Sequence, residues 1–198
     1  LRNAVACGSI EHKMGIRASS TCLMNFDGAT GWLVGEPHKG MRAMFAMMNA
    51  ERLAVGVQGL GLGEVSYQNA VAYARDRKQF GQSLGDFQMV QQMIADSVIE
   101  VNCARLLLHR AAFELDQGRD GRDYIAMVKV NAAETLGRVV DRAVQVFGGM
   151  GFCKDLPIEK YYRDARIYRI FDGASEVHRH TIARNTLKIG NALFDIGA

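Results

Sequence analysis

The stretch YRDARIYRIFDGASEVHR, residues 162–179, predicts a helix, a break and a second helix. Its first half is basic and aromatic, and no glycine or proline interrupts it before Gly173. Ser175 and Glu176 then begin a second periodic segment, since a serine followed by an acidic residue is typical of a helix N-terminus. The carboxylate of Asp172 therefore lies between two helices. It either caps the second helix or faces a site, and the local pattern leaves both roles open.

Three longer segments upstream have the apolar spacing of α-helices. The first extends from Lys39 to Arg75, and its four glycines indicate either close helix packing or a break. The second follows a loop at residues 77–85, and the third ends at Gly148-Gly149. Side chains expected in the core of these segments include Met41, Met44, Phe45, Met48, Val90, Ile94, Val101, Ile125, Val128, Leu136 and Val146. Residues 39–198 are therefore expected to form an antiparallel helical bundle.

Residues 1–38 differ from the rest of the chain. Short runs rich in β-formers occur at residues 4–9, 21–26 and 31–34, and each is bounded by glycine, aspartate or proline, which predicts three strands. Two or three strands do not make a stable sheet alone, so this segment requires a partner. The sequence predicts a mainly α fold in two parts, a short β segment at 1–38 and a helical bundle at 39–198.

The composition argues against several functional classes. The 198 residues carry a formal net charge of +3, and basic residues alternate with acidic ones, so neither nucleic acid nor a membrane is an expected partner. The four cysteines lie far apart, which predicts free thiols in a reducing compartment. The expected location is bacterial cytoplasm or mitochondrial matrix. No histidines have metal-binding spacing, so no metal site is expected. A chain that begins at Leu1 is expected to be a piece of a longer polypeptide.

The stretch around Asp172 resembles the C-terminal signature of the acyl-CoA dehydrogenase family, in which an aromatic residue, a carboxylate and a glycine precede Ser-Glu. Three further stretches resemble the same family in order and spacing: ERL at 51–53, RKQFG at 77–81 and QVFGGMGF at 145–152. Together the four stretches extend over nearly the whole chain. The resemblance implies a helical bundle preceded by the second half of the family's middle β-domain.

The resemblance also implies a reaction, the oxidation of a saturated acyl-CoA to the 2-enoyl-CoA. A carboxylate removes the α-proton while the β-hydrogen leaves as hydride to the flavin of FAD. Most of the family has a glutamate at the position of Asp172, whereas a minority branch places the base at the position of Glu51. This chain has an acid at both positions. We favour Asp172 as the base and keep Glu51 as the alternative.

Residues for FAD and for the substrate follow from the same resemblance. The implied FAD contacts are Arg77, Phe80, Gln88, Gln145, Gly149, Ala174 and Glu176. The implied substrate contacts are Ser19, Asn49, Arg52, Phe171 and Gly173. A guanidinium such as that of Arg77 suits a pyrophosphate, because its planar fork bonds two oxygens. The glycines at 148–151 follow a helix and are expected to precede a loop, so they are not a dinucleotide fingerprint.

His178 and His180 are two residues apart on the last predicted helix. Side chains at this spacing do not face each other, so the two histidines cannot act as a ligand pair. We expect both to be surface residues.

The family resemblance further implies an electron-transfer flavoprotein as electron acceptor and a homodimer or homotetramer. Because most flavin-ring contacts of the family lie upstream, the chain alone is expected to be inactive. Two alternatives remain open. One is a nitroalkane oxidase or a flavin monooxygenase on the same scaffold, and the other is a non-enzymatic helical oligomerisation module.

Overall fold

The computed structural model describes residues 2–190 and confirms a mainly α-helical fold. The helices are α1 Gly40–Asp76, α2 Gln88–Asp116, α3 Arg122–Phe147, α4 Gly149–Phe152, α5 Ile158–Ala165 and α6 Ser175–Ile189. The strands are β1 Ala6–Ile10, β2 Cys22–Asn25, β3 Lys78–Gln79 and β4 Gln82–Ser83. Short 3₁₀ turns at Leu84–Asp86 and Arg166–Arg169 precede α2 and follow α5. No helix among residues 2–190 has the length and apolar character needed to cross a membrane.

The third helix is the centre of the bundle. It contacts α1, α2, α4, α5 and α6, and 13 of its 26 residues are buried, more than on any other helix. Leu136 and Val140 pack with Val55 of α1 and Tyr168 of the second 3₁₀ turn. The predicted third apolar stripe therefore faces the core, as its spacing requires.

Glycines of α1 allow this helix to approach its neighbours closely. Gly56 lies against Val128 and Leu108, and Gly63 lies close to Leu136 and to Val101 of α2. From Gly56 to Gly63 the partner residue in α3 moves forward along the chain, from 128 to 136, and the partner in α2 moves backward, from 108 to 101. Helix α1 is therefore parallel to α3 and antiparallel to α2. The helix continues through all four glycines without a break. Gly56 and Gly63 therefore serve close helix packing rather than a break in the helix.

Two of the three predicted strands are present. β1 and β2 pair in antiparallel register from Ala6 opposite Asn25 to Ile10 opposite Cys22. The prediction of a strand at residues 31–34 is wrong, since this run pairs with no strand among residues 2–190. Every residue of β1 and β2 is exposed, and the division of the chain at residue 38 stays a prediction.

The segment between β1 and β2 contacts the bundle at α5. The backbone N–H of Ile16 donates to Asp164 Oδ1 at 2.6 Å, and Arg163 Nη1 donates to the carbonyl of Met14 at 2.9 Å. A Cβ on Gly15 would lie 2.5 Å from the carbonyl oxygen of Arg163. The backbones therefore approach so closely that a larger residue at this position would separate them.

The glycines at 148–151 precede a non-helical segment at 153–157, as expected. Residues 149–152 form the helical turn α4, because Gly148 has φ +59° and ends α3 with a sharp change of direction. One local expectation is wrong. Met41, Met44 and Phe45 are exposed rather than in the core, because buried contacts of α1 begin only at Val55.

Candidate active site

Residues 170–174 connect the second 3₁₀ turn with α6, and we call them the Asp172 loop. Asp172 has φ +53° and Gly173 has φ +93°, so two consecutive residues are in the left-handed region. A non-glycine residue there costs roughly 1–3 kcal/mol unless its surroundings hold it, and aspartate tolerates the region better than most. Ala174 is the N-cap of α6 and no side-chain cap bond is present, so Asp172 does not cap this helix.

Three side chains from three helices donate hydrogen bonds to the carbonyls of the Asp172 loop. Arg52 Nε of α1 and His178 Nε2 of α6 both donate to the Asp172 carbonyl, each at 3.1 Å. Lys129 Nζ of α3 donates to the Gly173 carbonyl at 2.6 Å. Gly173 is also required by space, since a Cβ would lie 2.8 Å from His178 Nε2. These contacts hold the loop in its left-handed conformation.

Lys129 is the member of this group that sequence reasoning missed. Its side chain is fully buried, and burial lowers the pKa of Lys129 to about 8, against the opposing charge of Asp172. The available signal was spacing: Lys129 lies four residues after Ile125 and three before Ala132, both on the buried face of α3. A lysine at such a position needs a polar partner.

His178 corrects the expectation of two surface histidines. Its side chain is 4% exposed, whereas His180 is exposed as predicted. Burial lowers the pKa of His178, and the cations Arg52 and Lys129 lower it further, while the hydrogen bond to the Asp172 carbonyl opposes them. A neutral imidazole with its proton on Nε2 satisfies this contact.

Burial of His178 makes stability depend on pH. Because its folded pKa is depressed, the unfolded chain binds the proton more readily, and the free energy of unfolding falls as the pH drops below about 6.5. The His178→Gln variant is expected to lose less stability than the wild type between about pH 7.5 and about pH 5.5 in urea unfolding. His180→Gln is the matched control and is expected to follow the wild type. A wild-type slope in the His178 variant would contradict the assignment.

The alternative base occupies a different environment. Glu51 is exposed on α1, and its neighbour Arg52 directs its guanidinium to the Asp172 carbonyl and to Asn49 Oδ1, at 3.3 Å. The same guanidinium lies 5.7 Å from the centre of the Phe45 ring. Arg52 therefore connects the start of α1 with the Asp172 loop.

A polar pocket of about 300 Å³ opens beside the Asp172 loop. Asn49, Arg52 and His178 line it together with Arg122 and Arg184. Two carboxylates at the same pocket are already engaged, because Asp120 pairs with Arg122 and Asp123 accepts a 2.6 Å hydrogen bond from Asn185. Arg122 is occupied by the same pair, so the exposed guanidinium of Arg184 is the group that the pocket offers to an anion.

A second groove, of about 480 Å³, lies at the other end of α3. It brings together Arg77, Gln145 and Gly149, three of the residues expected to contact FAD. A Cβ on Gly149 would meet no atom within 4 Å, so bare backbone faces open space there. Phe80 and Gln88 do not line this groove. Phe80 is 93% exposed with φ +53°, at the tip of the β3–β4 hairpin.

The remaining predicted site residues are distributed as follows. Phe171 precedes Asp172 and packs edge-on against Tyr168, with ring centres 5.2 Å apart. Ala174 and Glu176 lie at the start of α6, and the Glu176 side chain is exposed. Ser19 is exposed in the segment between β1 and β2, where its N–H donates to the Ile16 carbonyl. The roles of these residues stay predictions.

Comparison with known proteins agrees with this architecture. Cyclohexane-1-carbonyl-CoA dehydrogenase of Geobacter metallireducens is 40% identical over 184 residues, which are 91% of this chain and 48% of that protein. Butyryl-CoA dehydrogenase from Megasphaera elsdenii superposes with a TM-score of 0.87 at 32% identity, over 92% of this chain and 49% of that one. A chain in the structure described as electron transferring flavoprotein of Acidaminococcus fermentans has a TM-score of 0.88 at 34% identity, over 93% and 49%.

The chain spans about half the length of the curated relatives it matches. A family model described as the C-terminal domain of acyl-CoA dehydrogenase matches residues 38–187, which include α1 to α5 and most of α6. This chain therefore belongs to the acyl-CoA dehydrogenase family.

Proposed function

We propose that the protein containing this chain oxidises a saturated acyl-CoA to the trans-2-enoyl-CoA, with Asp172 as the base. The observation that carries the proposal is the Asp172 loop, in which a strained backbone is held by Arg52, Lys129 and His178. Strain of this kind is concentrated at functional sites. Because all three donors bond carbonyl oxygens, the carboxylate of Asp172 is left available to accept a proton.

The proton step requires only this chain's own residues. The Asp172 carboxylate takes the proton from the carbon next to the thioester, and its oxygen becomes a hydroxyl. Lys129 and Arg52 place positive charge beside the loop while the carboxylate is anionic. FAD, if bound, would supply the acceptor for the β-hydrogen, which leaves as hydride so that a double bond forms between the two carbons.

The polar pocket beside the loop supports a substrate with phosphate groups. Arg122 and Arg184 line it, and Asn49 and Arg52 connect it with the Asp172 loop. Guanidinium forks suit the phosphate oxygens of a coenzyme A thioester. Arg52 and His178 line this pocket and also bond the Asp172 carbonyl, so the pocket adjoins the Asp172 loop.

The groove at the opposite end of α3 is suited to FAD. Arg77 supplies a planar cation for a pyrophosphate, and Gly149 supplies backbone that no side chain covers. Gln145 adds an amide to the same groove. Phe80 extends into solvent beyond the groove, a position from which it would contact a neighbouring subunit of a homodimer or homotetramer. The electron acceptor we propose is an electron-transfer flavoprotein.

Visible spectroscopy tests this function. FAD is added to the chain and to the whole protein, free flavin is removed, and a panel of acyl-CoAs is added under anaerobic conditions. We expect the whole protein to be yellow and to be bleached by at least one thioester. The chain alone is expected to remain colourless, because most flavin-ring contacts of its family lie outside it. A yellow chain that an acyl-CoA bleaches would overturn the claim that this part is inactive.

The same preparation separates the alternatives. Oxygen consumption with a nitroalkane would indicate a nitroalkane oxidase, and a requirement for an NADH-linked reductase would indicate a flavin monooxygenase. Oligomers of the whole protein without affinity for FAD or acyl-CoA would indicate a helical assembly module. Each of these three results would replace the proposed dehydrogenation.

A further inference from the structure

Lys129 is a charged side chain enclosed at the centre of the bundle. It is fully buried on α3, and its Nζ donates to the Gly173 carbonyl at 2.6 Å. Burying an ammonium is expensive unless hydrogen bonds and opposite charges compensate for the lost water. Methionine would fill the same space without this cost, so packing alone does not explain a lysine here.

Charged and titratable groups from four elements face Lys129. Those that interact with it are Asp172 of the loop, Arg52 of α1, Glu176 and His178 of α6, and Glu134 of α3 itself. Asp172 has the largest effect among them. The ammonium of Lys129 therefore has the proposed base as its principal opposite charge, as well as the next carbonyl along the chain as its hydrogen-bond acceptor.

The position of this bond complements the other two. Arg52 and His178 bond the carbonyl of Asp172, whereas Lys129 bonds the carbonyl of Gly173. Two successive carbonyls are thus fixed from three helices. Arg52 and His178 hold the peptide that follows Asp172, and Lys129 holds the peptide that follows Gly173, so the backbone on the C-terminal side of Asp172 is fixed at two successive peptides.

We propose that Lys129 is a positioning residue for Asp172, which holds the Asp172 loop and keeps the carboxylate directed at the substrate. The proposal rests on the proposed dehydrogenation, but its structural part does not require turnover. A bond from a charged donor to a buried carbonyl is strong enough that its loss changes loop opening by about 10- to 100-fold.

The structural part is tested by hydrogen–deuterium exchange in the whole protein. Lys129→Met keeps approximately the length of the side chain and removes the ammonium. The control is Thr135→Val, which removes from the same helix a buried hydroxyl that contacts Arg138. We expect amides of residues 170–175 to exchange about 10- to 100-fold faster in Lys129→Met. Thr135→Val is expected to match the wild type. Equal exchange in all three proteins would overturn the proposal.

Kinetics test the catalytic part. Lys129→Met is expected to lower kcat about 10- to 100-fold and to leave KM within about 3-fold, because it misplaces the base rather than the substrate. Burial lowers the pKa of Lys129 to about 8, and a neutral amine is a weaker donor to the Gly173 carbonyl than an ammonium is. Wild-type kcat is therefore expected to fall as the pH rises above about 8, and Lys129→Met is expected to lack this decline. A change in KM alone, or the same alkaline decline in both proteins, would overturn the role.

If the Lys129→Met variant does not fold, the pH dependence of hydrogen exchange in the wild type tests the proposal instead. Faster exchange of residues 170–175 relative to the rest of α6 is expected above about pH 8 in the wild type, after correction for the intrinsic pH dependence of exchange. A pH-independent corrected ratio would contradict the role of the ammonium. If the whole protein does not dehydrogenate acyl-CoAs, the kinetic experiment fails together with the proposed function. The hydrogen-exchange experiment still decides whether Lys129 holds the loop.

Discussion

The Asp172→Asn variant of the whole protein is expected to lose about 10³-fold in kcat with an acyl-CoA substrate. The amide has the shape of the carboxylate and cannot accept the α-proton. Asparagine also tolerates the left-handed region in which Asp172 lies, so the loop keeps its backbone conformation. The three donors bond carbonyl oxygens, and the substitution leaves those acceptors in place.

Glu51→Gln is the matched control, because Glu51 is the other acid that the sequence offers as base. It is exposed on α1, and its substitution is expected to change kcat by less than about 3-fold. Exchange of the substrate's α-hydrogen with deuterated water, followed by mass spectrometry, reports the proton step directly. Loss of exchange in Glu51→Gln with retention in Asp172→Asn would transfer the role of base to Glu51.

The Gly56→Ala variant is expected to lose about 2 kcal/mol of unfolding free energy. A Cβ at this position would lie inside van der Waals distance of Val128 Cγ1, and Val128 is 1% exposed. Valine has one strongly preferred rotamer in a helix, so its methyl group cannot move aside without strain. The two helices must therefore separate, and the contacts between α1 and α3 weaken along their length.

Gly61→Ala in the same helix is the control for helix propensity. A Cβ there meets no atom within 4 Å, and alanine is the better helix former, so this variant is expected to gain about 0.5–1 kcal/mol. Urea unfolding of the two variants and the wild type measures both changes. Equal stability of the two variants would show that contact with Val128 is not what restricts position 56.

Most of the fold follows from local pattern in the sequence. The stripes that begin at Val90 and Ile125 predict α2 and α3 because apolar spacing of three and four residues is sufficient to identify a buried helix face. The break before Ser175 is equally local, since Gly173 interrupts the pattern and Ser175 begins α6, although the preceding 3₁₀ turn already ends at Arg169. Residues 31–34 show the limit of this approach, because a strand requires a partner that the local pattern does not contain.

The candidate site is less accessible to sequence reasoning. Asp172 stands at a break that the pattern reveals, but the residues that hold it come from three separate helices. His178 lies three residues after Ser175, which is itself fully buried, so its spacing indicates an inward face. The H-x-H pattern instead suggested a surface pair. Lys129 is difficult to predict from the sequence, because a lysine within an apolar stripe is usually interpreted as the exposed edge of that stripe.

The central position of α3 has an evolutionary consequence. The helix with the most buried residues in the described part of the chain also supplies Lys129, which bonds the Asp172 loop, and Glu134, which pairs with Arg169 and Arg179 on either side of that loop. Selection for a stable core and selection for activity thus act on the same 26 residues. Inherited substitutions in α3 that reduce activity cannot be assigned to folding or to catalysis from their burial alone, and related proteins are expected to drift more slowly along this helix than along α2.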